Sequence, residues 1–214
     1  LQLLRSTFLF FATYFFFTSL KYLQLVQVNA IFQVAPIFVT LLSAFVLKEY
    51  INIKRWGGVI IGMLGALLII RPGSEVFSIN IILPAIAALC YASYVISTRF
   101  LSQEESATTN FIYSSLIGSI LASILVIPSW ISIDPTDIFV FSGFGLLGAL
   151  GHLFLINAFR MSEASFLAPF NYLNLVFGTI WGFYIFDEIP GFFTITGSLV
   201  IVSSGIYIWM KDKK

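Results

Sequence analysis

Apolar runs long enough to cross a membrane follow one another along almost the whole chain, and this feature limits the possible folds most. A membrane-spanning helix needs roughly 20 mostly apolar residues, and eight such runs can be read in the 214 residues. Only 10% of the residues are charged, compared with about 25% in soluble domains, so a water-soluble fold is excluded. The runs lie at about 3–20, 26–47, 55–71, 79–99, 109–130, 137–159, 164–186 and 191–210.

The runs are apolar on every side, whereas the strands of a membrane β-barrel alternate with a period of two. Charges, prolines and glycines separate the runs, as at Lys48-Glu49 and at Pro190-Gly191. We therefore predict an all-α integral membrane protein with about eight transmembrane helices.

The basic residues are distributed unequally between the loops on the two sides of the predicted bundle. If the first run crosses outward, nine Lys and Arg residues lie inside, and only Lys21 and Arg71 lie outside. Short loops rich in Lys and Arg remain in the cytoplasm, so the C-terminus is predicted to be cytoplasmic. The nine inside residues are Arg5, Lys48, Lys54, Arg55, Arg99, Arg160, Lys211, Lys213 and Lys214.

The charge balance and the rarity of metal-binding residue types exclude several kinds of partner. Eleven basic residues face ten acidic ones, so the clustered basic surface typical of nucleic-acid binding is missing. The single cysteine, Cys90, cannot form an internal disulfide, and no Cys/His cluster offers metal ligands. We predict no cofactor and no metal; the expected partners are the lipid bilayer and a small molecule, and the oligomeric state is left open.

An internal repeat emerges when the sequence is shifted against itself by 139 positions, because Glu49 then falls on Glu188 and Gly58 on Gly197. The predicted halves are 1–72, holding the last three helices of a first repeat, and 78–211, holding a complete second repeat of five helices. Two further helices are expected upstream, giving ten in the intact protein. Five helices per repeat is an odd number, so the two halves are predicted to insert with inverted topology, as in many transporters.

The motifs of both halves resemble those of the EamA-type drug/metabolite transporter superfamily. The resemblance covers Gln33-Val34-Ala35-Pro36 through Glu49 and the following glycine-containing helix, then Ala168-Pro169 through Asp187-Glu188 in the second half. It implies a ten-helix carrier of small metabolites, and one bacterial branch of the superfamily takes up S-adenosylmethionine. Family repeats often have a helix-interrupting proline at the position of Pro36, whereas the equivalent residue here is Leu175, with Pro169 six residues earlier.

Polar side chains within membrane spans tend to face a cavity or the bundle interior, so the few present are candidate binding residues. Asn29, Gln33, Pro36 and Thr40 form one helical stripe, and Pro36 removes a backbone hydrogen bond near Phe32. This stripe either faces a ligand across a local break, with Pro36 as a hinge, or joins packed helices through hydrogen bonds.

The corresponding run in the second half carries Asn171 and Asn174, with Tyr172 and Trp181 nearby. The two carboxamides could bind an amino-acid or adenine-like group while a neighbouring aromatic ring stacks on it. The alternative is close helix packing through the GxxxG pattern that begins at Gly178.

His152 and four tyrosines complete the candidates. His152 could contact substrate or serve as a satisfied structural donor. Tyr91 is a candidate binding residue, while Tyr94 and Tyr14 are secondary candidates, because a buried hydroxyl group needs a partner. Tyr172 and Trp181 belong to the same secondary group.

Glu49 and Glu188 each end a helix, where the helix dipole disfavours an anion. Each needs a compensating partner, for example Lys54 or Arg55 for Glu49. We interpret both glutamates as gate or loop-anchoring residues.

Together these features predict a carrier that moves a small polar metabolite by alternating access across the bacterial inner membrane. S-adenosylmethionine or an amino acid is the expected substrate, and export of amino acids or drugs is the alternative. An intramembrane enzyme is disfavoured because no acid lies in the middle of a predicted helix and no reactive cluster is present. A non-transporting accessory subunit remains a third class.

Overall fold

The computed structural model describes residues 1–23, 25–70, 79–130, 134–187 and 189–212. These residues form ten α-helices and no strand. The helices are α1 (Gln2–Ser19), α2 (Leu25–Phe32), α3 (Ala35–Val46), α4 (Ile53–Ile70), α5 (Ile82–Leu101), α6 (Ala107–Val126), α7 (Asp137–Met161), α8 (Ala164–Leu167), α9 (Leu173–Phe186) and α10 (Phe192–Asp212).

Five helical segments are long and apolar enough to span a membrane, which agrees with an all-α membrane protein. They are Ile53–Ile70, Ile79–Leu101, Ala107–Val126, Asp137–Met161 and Phe192–Met210. The first predicted run forms α1, which carries Gln2 and Arg5 and is not one of the five.

The runs predicted at 26–47 and 164–186 are not continuous helices in the structure. The first is interrupted between α2 and α3, next to Pro36 in the first turn of α3. The second passes from α8 into a 3₁₀ segment, Ala168–Tyr172, with Pro169 in its first turn, before α9 begins. Proline has no N–H group and clashes with the preceding helical turn, so each break adjoins a proline even though the two prolines are not equivalent in the repeat.

Local backbone structure recurs at the 139-residue spacing found in the sequence. α2 and α8 begin at Leu25 and Ala164, 139 residues apart, and α4 and α10 begin at Ile53 and Phe192, again 139 apart. Lys48 and Asp187, also 139 apart, both have a positive φ, 55° and 54°. A left-handed residue commonly closes a helix, so the same turn follows α3 and α9.

The antiparallel pair α4 and α10 packs through glycines. A Cβ atom placed on Gly65 would lie 2.9 Å from the carbonyl oxygen of Gly197, and one placed on Gly197 would lie 2.6 Å from that of Gly65. Glycine at both positions therefore lets the two backbones touch, as small residues do between membrane helices.

A buried cluster joins α3, α5, α7 and α8 around Val39, Tyr94 and Phe159. The 3₁₀ segment Ala168–Tyr172 adjoins this cluster through Ala168 and packs against α4 and α10 through Tyr172. The interrupted second run is thus fixed on both sides, and this holds its polar residues next to those of the first break.

Outside the spans, Asp134 organises the turn before α7. The backbone N–H of Thr136 donates to its carboxylate at 2.9 Å, and the Thr136 hydroxyl donates at 2.7 Å. These bonds favour the ionised form and hold the pKa of Asp134 below its usual range.

Candidate functional site

A cavity of about 690 Å³ lies between the two helix breaks. It contains five of the residues singled out in the sequence: Gln33 and Pro36 from the first break, Tyr91 from α5, and Asn171 and Asn174 from the second break. The two runs whose backbones are interrupted thus supply most of the polar groups at one place. The remaining lining residues are Phe32, Ala35, Gly151, Phe170, Leu173 and Phe177.

The carboxamide of Asn171 is held by two hydrogen bonds. The Tyr91 hydroxyl donates to Asn171 Oδ1 at 3.2 Å, and Asn171 Nδ2 donates to the Ala168 carbonyl oxygen at 3.3 Å. A carbonyl oxygen can only accept, so the amide nitrogen must face Ala168 and the amide oxygen must face Tyr91. The Tyr91 ring is in turn packed against Phe32, with ring centroids 5.6 Å apart.

Gln33 and Asn174 are unpaired in the cavity. Neither carboxamide has a hydrogen-bond partner among the described residues, although Gln33 is only 6% exposed. Buried polar groups are normally satisfied, so the buried carboxamide of Gln33 is available to a ligand or to water. Asn174 is an exposed residue, and its carboxamide is also accessible to a ligand. The described lining residues carry no formal charge.

Six of the predicted binding candidates do not line this cavity, and three of them are Asn29, Tyr14 and Trp181. Asn29 Nδ2 donates to the Leu25 carbonyl oxygen of its own helix at 3.0 Å, so it is used locally. Tyr14 is 43% exposed and lines a separate groove with Lys21 and the end of α6. Trp181 is 57% exposed on α9.

His152, which is partly buried, and the buried Tyr94 form a separate pair next to the cavity. The Tyr94 hydroxyl and His152 Nε2 are 2.8 Å apart, and the Arg5 guanidinium lies over the Tyr94 ring, 5.6 Å from its centroid. Tyr94 and Arg5 are fully buried. His152 lines a different groove, of about 430 Å³, with Ser114 and Gly148 among its neighbours.

Arg5 fastens three helices together. Its guanidinium donates to Thr98 on α5 at 3.3 Å, to Ser114 on α6 at 2.8 Å and to the Asn110 carbonyl oxygen. Gln2 accepts a further bond from Arg5 Nε at 3.1 Å. A buried arginine needs several hydrogen-bond acceptors. We therefore interpret Arg5 as a residue that holds α1, α5 and α6 together.

Tyr172 is fully buried against the α4–α10 pair, and its hydroxyl has no partner in the described part of the chain.

A Cβ atom on Gly178 would meet nothing within 4 Å. Close packing through Gly178, the alternative explanation for that glycine pattern, is therefore not seen in this structure.

Glu49 joins the end of α3 to the beginning of α8. Its carboxylate accepts from the Ala164 N–H at 2.9 Å, the Ser165 N–H at 3.0 Å and the Ser165 hydroxyl at 2.8 Å. Arg99 Nε lies 3.8 Å away, and the Glu49 side chain is only 8% exposed. α3 ends at Val46, so Glu49 lies in the link that follows and not at the helix end as predicted. Its carboxylate binds the N-terminal amides of α8, where an anion is favoured.

Arg55 lies in the same cluster. It donates to the Ser165 hydroxyl at 2.8 Å and forms a short ion pair with Glu163. Glu49 and Arg55 from the first half thus meet Ser165 and Glu163 from the second half at one end of the bundle. The other predicted gate residue, Glu188, lies outside the described residues.

Sequence reasoning missed two groups of residues. The cavity phenylalanines Phe32, Phe170 and Phe177 could not be distinguished among 24 phenylalanines, although each lies within three residues of a candidate carboxamide. Nothing in the local sequence around Ser165 or Arg99 indicated a functional role, because their partner Glu49 is more than 40 residues away in the sequence.

Comparisons with known proteins agree with this architecture. A solved structure covers 96% of this chain and 76% of its own length with a TM-score of 0.85 at 15% sequence identity, so the fold is shared. The S-adenosylmethionine uptake transporter of Rickettsia prowazekii is 25% identical over 213 residues, which span the whole chain and 72% of that protein.

Two further relatives have other substrates in their names. The riboflavin transporter of Vibrio cholerae is 27% identical over 86% of this chain and 62% of its own length. The pseudopaline exporter of Pseudomonas aeruginosa is 26% identical over 87% of this chain and 66% of its own length.

The family model of the EamA-like transporters matches residues 1–71 and 78–210, which is nearly the whole chain. This confirms the resemblance seen in the motifs, and with the apolar helices and the transporter relatives it identifies a membrane transporter of small metabolites. The chain belongs to the EamA-like transporter family.

Proposed function

We propose that this protein carries a small polar organic metabolite by alternating access and binds it in the cavity between the two helix breaks. S-adenosylmethionine or an amino acid is the first candidate substrate, and export of amino acids or drugs is the second. The proposed binding residues are Gln33, Tyr91, Asn171 and Asn174, while His152 and Asn29 remain candidates outside this cavity. The proposed location is the bacterial inner membrane, with the C-terminus in the cytoplasm.

The observation that carries the proposal is the meeting of two interrupted helices at one polar cavity. Carriers commonly place substrate at such discontinuities, where irregular backbone and polar side chains line a cavity in the bundle. Here Gln33 and Pro36 come from one interrupted run, and Asn171 and Asn174 come from the other.

Inverted halves, 1–72 and 78–211, are proposed from the packing of α4 on α10. A Cβ atom on Gly58 would meet Ile208 at 1.9 Å, and one on Gly197 would meet Ile69 at 2.7 Å. Gly58 and Gly197 are 139 positions apart, and so are Ile69 and Ile208. The two contacts are therefore the same contact made once from each helix. Such reciprocal contacts are the pattern expected at a two-fold axis, which favours two halves that rock against each other.

The second proposal for the bundle is a gate at one end. It consists of the contacts among Glu49, Arg55, Glu163 and Ser165, called here the Glu49 cluster. It binds the link after α3 to the first residues of α8, so the two interrupted runs can separate at that end only when these bonds break. The break at Pro36 is the proposed hinge of the first run.

Transport is tested with purified protein in liposomes preloaded with unlabelled metabolite and offered labelled S-adenosylmethionine, amino acids or nucleotides in turn. Saturable accumulation of one compound is the expected result. Absence of flux for every compound, from protein that remains folded, would contradict the carrier function and favour an accessory subunit.

Replacing Asn171 with alanine is expected to raise the half-saturation concentration of the transported compound about tenfold, since an unmade buried hydrogen bond costs about 1–3 kcal/mol and 1.4 kcal/mol is a factor of ten. The measurement is concentration-dependent uptake in the same liposomes. Asn157→Ala is the matched control, because Asn157 is exposed on α7 and its side chain donates to the Leu153 carbonyl oxygen of its own helix. Equal half-saturation values for Asn171→Ala and the unaltered protein would remove Asn171 from the site.

A further inference from the structure

The wall of the cavity combines aromatic rings with neutral amides. Phe32, Tyr91, Phe170 and Phe177 supply the rings, and Gln33, Asn171 and Asn174 supply the carboxamides. A charged group taken out of water needs an opposite charge or a dense set of hydrogen bonds. Because the described lining contains no charged side chain, the cavity is poorly suited to an ammonium or carboxylate group.

The distribution of polarity also disfavours a polyol. A sugar carries a hydroxyl group on nearly every carbon, and several would face the phenylalanine rings without a partner, at a cost for each. A flat heteroaromatic ring has its polar atoms only at the edge and two faces that stack on aromatic side chains. Carboxamides pair well with such edges because they present a donor and an acceptor side by side, as asparagine and glutamine do with adenine.

Asn171 differs from the other two carboxamides because its orientation is fixed. Its oxygen accepts one bond from the Tyr91 hydroxyl, and one amide hydrogen is directed to the Ala168 carbonyl oxygen. The second N–H and the second lone pair of the oxygen are left for a ligand, as a donor and an acceptor in fixed positions. Gln33 and Asn174 have no partners among the described residues. Their carboxamides can therefore rotate to present either a donor or an acceptor to a ligand.

We propose that the cavity recognises an uncharged nitrogen heteroaromatic ring, and that Tyr91, together with the Ala168 carbonyl oxygen, determines specificity by holding the Asn171 amide in one orientation. This inference rests on the proposed function, whose binding cavity it uses, and among the proposed substrates it favours one with a heteroaromatic ring, such as S-adenosylmethionine, over an amino acid. Tyr91 acts as a positioning residue through Asn171, and charged portions of a larger substrate would lie outside the described lining.

Binding to the purified full chain in detergent tests the substrate class without requiring transport. The compounds are labelled adenosine, inosine and cytidine as uncharged ring compounds, ribose as the polyol common to all three, and methionine as the zwitterion. Saturable binding of at least one nucleoside is expected, together with at least tenfold weaker binding of ribose and methionine. Binding of ribose or methionine as tight as that of the best nucleoside, or no binding of any nucleoside, would overturn the inference.

Tyr91→Phe tests the positioning, using adenosine and inosine because they have nearly the same shape but exchange donors and acceptors along one edge. The unaltered protein is expected to distinguish the two, and the variant to bring the ratio of their dissociation constants at least threefold closer to one, because the amide then keeps only its 3.3 Å bond to the Ala168 carbonyl oxygen and can turn more easily. Tyr14→Phe, at an exposed tyrosine on α1, is the matched control and should leave the ratio unchanged. An unchanged ratio in folded Tyr91→Phe protein would refute the positioning.

The two assays separate the inference from the function it rests on. Nucleoside binding without flux in liposomes would contradict the carrier function and leave the ring recognition standing. Exchange of methionine without nucleoside binding would support a carrier and overturn the ring recognition.

Discussion

Replacing Gly197 with valine is expected to prevent α4 and α10 from packing and to remove most of the folded protein. The first side-chain carbon would lie 2.6 Å from the Gly65 carbonyl oxygen and 2.7 Å from Ile69 Cγ1. The nearest obstacle is backbone, which cannot turn aside as a flexible side chain can. Overpacking a fitted contact costs about 1–3 kcal/mol and occasionally more, and here two helices must move apart.

The effect is measured as the yield of monodisperse protein and its melting temperature in detergent. Gly143→Val makes the same chemical change on α7, where a Cβ atom would meet nothing within 4 Å, so it should preserve both quantities. A Gly197→Val protein with the melting temperature of the Gly143→Val control would show that the two backbones do not touch.

Replacing Glu49 with alanine is expected to open the cavity at the Glu49 end of the bundle. The protein would then no longer close that end during the transport cycle, and alternating access would be lost. The change removes the acceptor of three hydrogen bonds from Ala164 and Ser165. Hydrogen bonds to a charged group contribute about 1.5–3 kcal/mol each, although they do not add independently. Without them the first residues of α8 are no longer held against the link that follows α3.

Opening is measured as the rate at which a membrane-impermeant thiol reagent labels a cysteine placed in the cavity. The reporter is Asn174→Cys with Cys90→Ala, because Cys90 is the only natural cysteine. We expect labelling from the Glu49 side to rise at least tenfold in Glu49→Ala, and less in Glu49→Gln, which keeps one acceptor oxygen.

The matched control is Glu104→Ala, which removes an exposed carboxylate from the turn after α5 and should not alter labelling. Unchanged labelling in Glu49→Ala, from protein with normal thermal stability, would limit Glu49 to anchoring the loop. The proposed gate would then have to lie elsewhere.

The membrane fold and the family could be predicted from the sequence because they depend on local properties. Five helical segments are long and apolar enough to satisfy their own backbone hydrogen bonds across a bilayer, and the motifs around Pro36 and Glu49 lie within short segments. Polarity in an apolar run is also visible locally, which is why Gln33, Asn171 and Asn174 were recognised as candidates before their positions were known.

Pairing between distant residues could not be read in the same way. Asn29 and Gln33 lie on one stripe of the sequence, yet Asn29 bonds within its own helix while Gln33 lines the cavity. Glu49 lies in the link after α3, and the groups that bind its carboxylate belong to α8, 115 residues away. The amides that stabilise Glu49 are therefore in another segment of the chain.

The sequence by itself determined that the chain crosses a membrane as helices, that motif residues such as Glu49 and Gly58 recur 139 positions later, and that few polar side chains are available inside. The tertiary structure alone decided which of these side chains share a cavity, which form hydrogen bonds with the backbone of their own helix, and which glycines lie in contact. The physical reason is that hydrophobicity and backbone propensity act within one segment. Hydrogen-bond satisfaction and close packing depend on which segments meet.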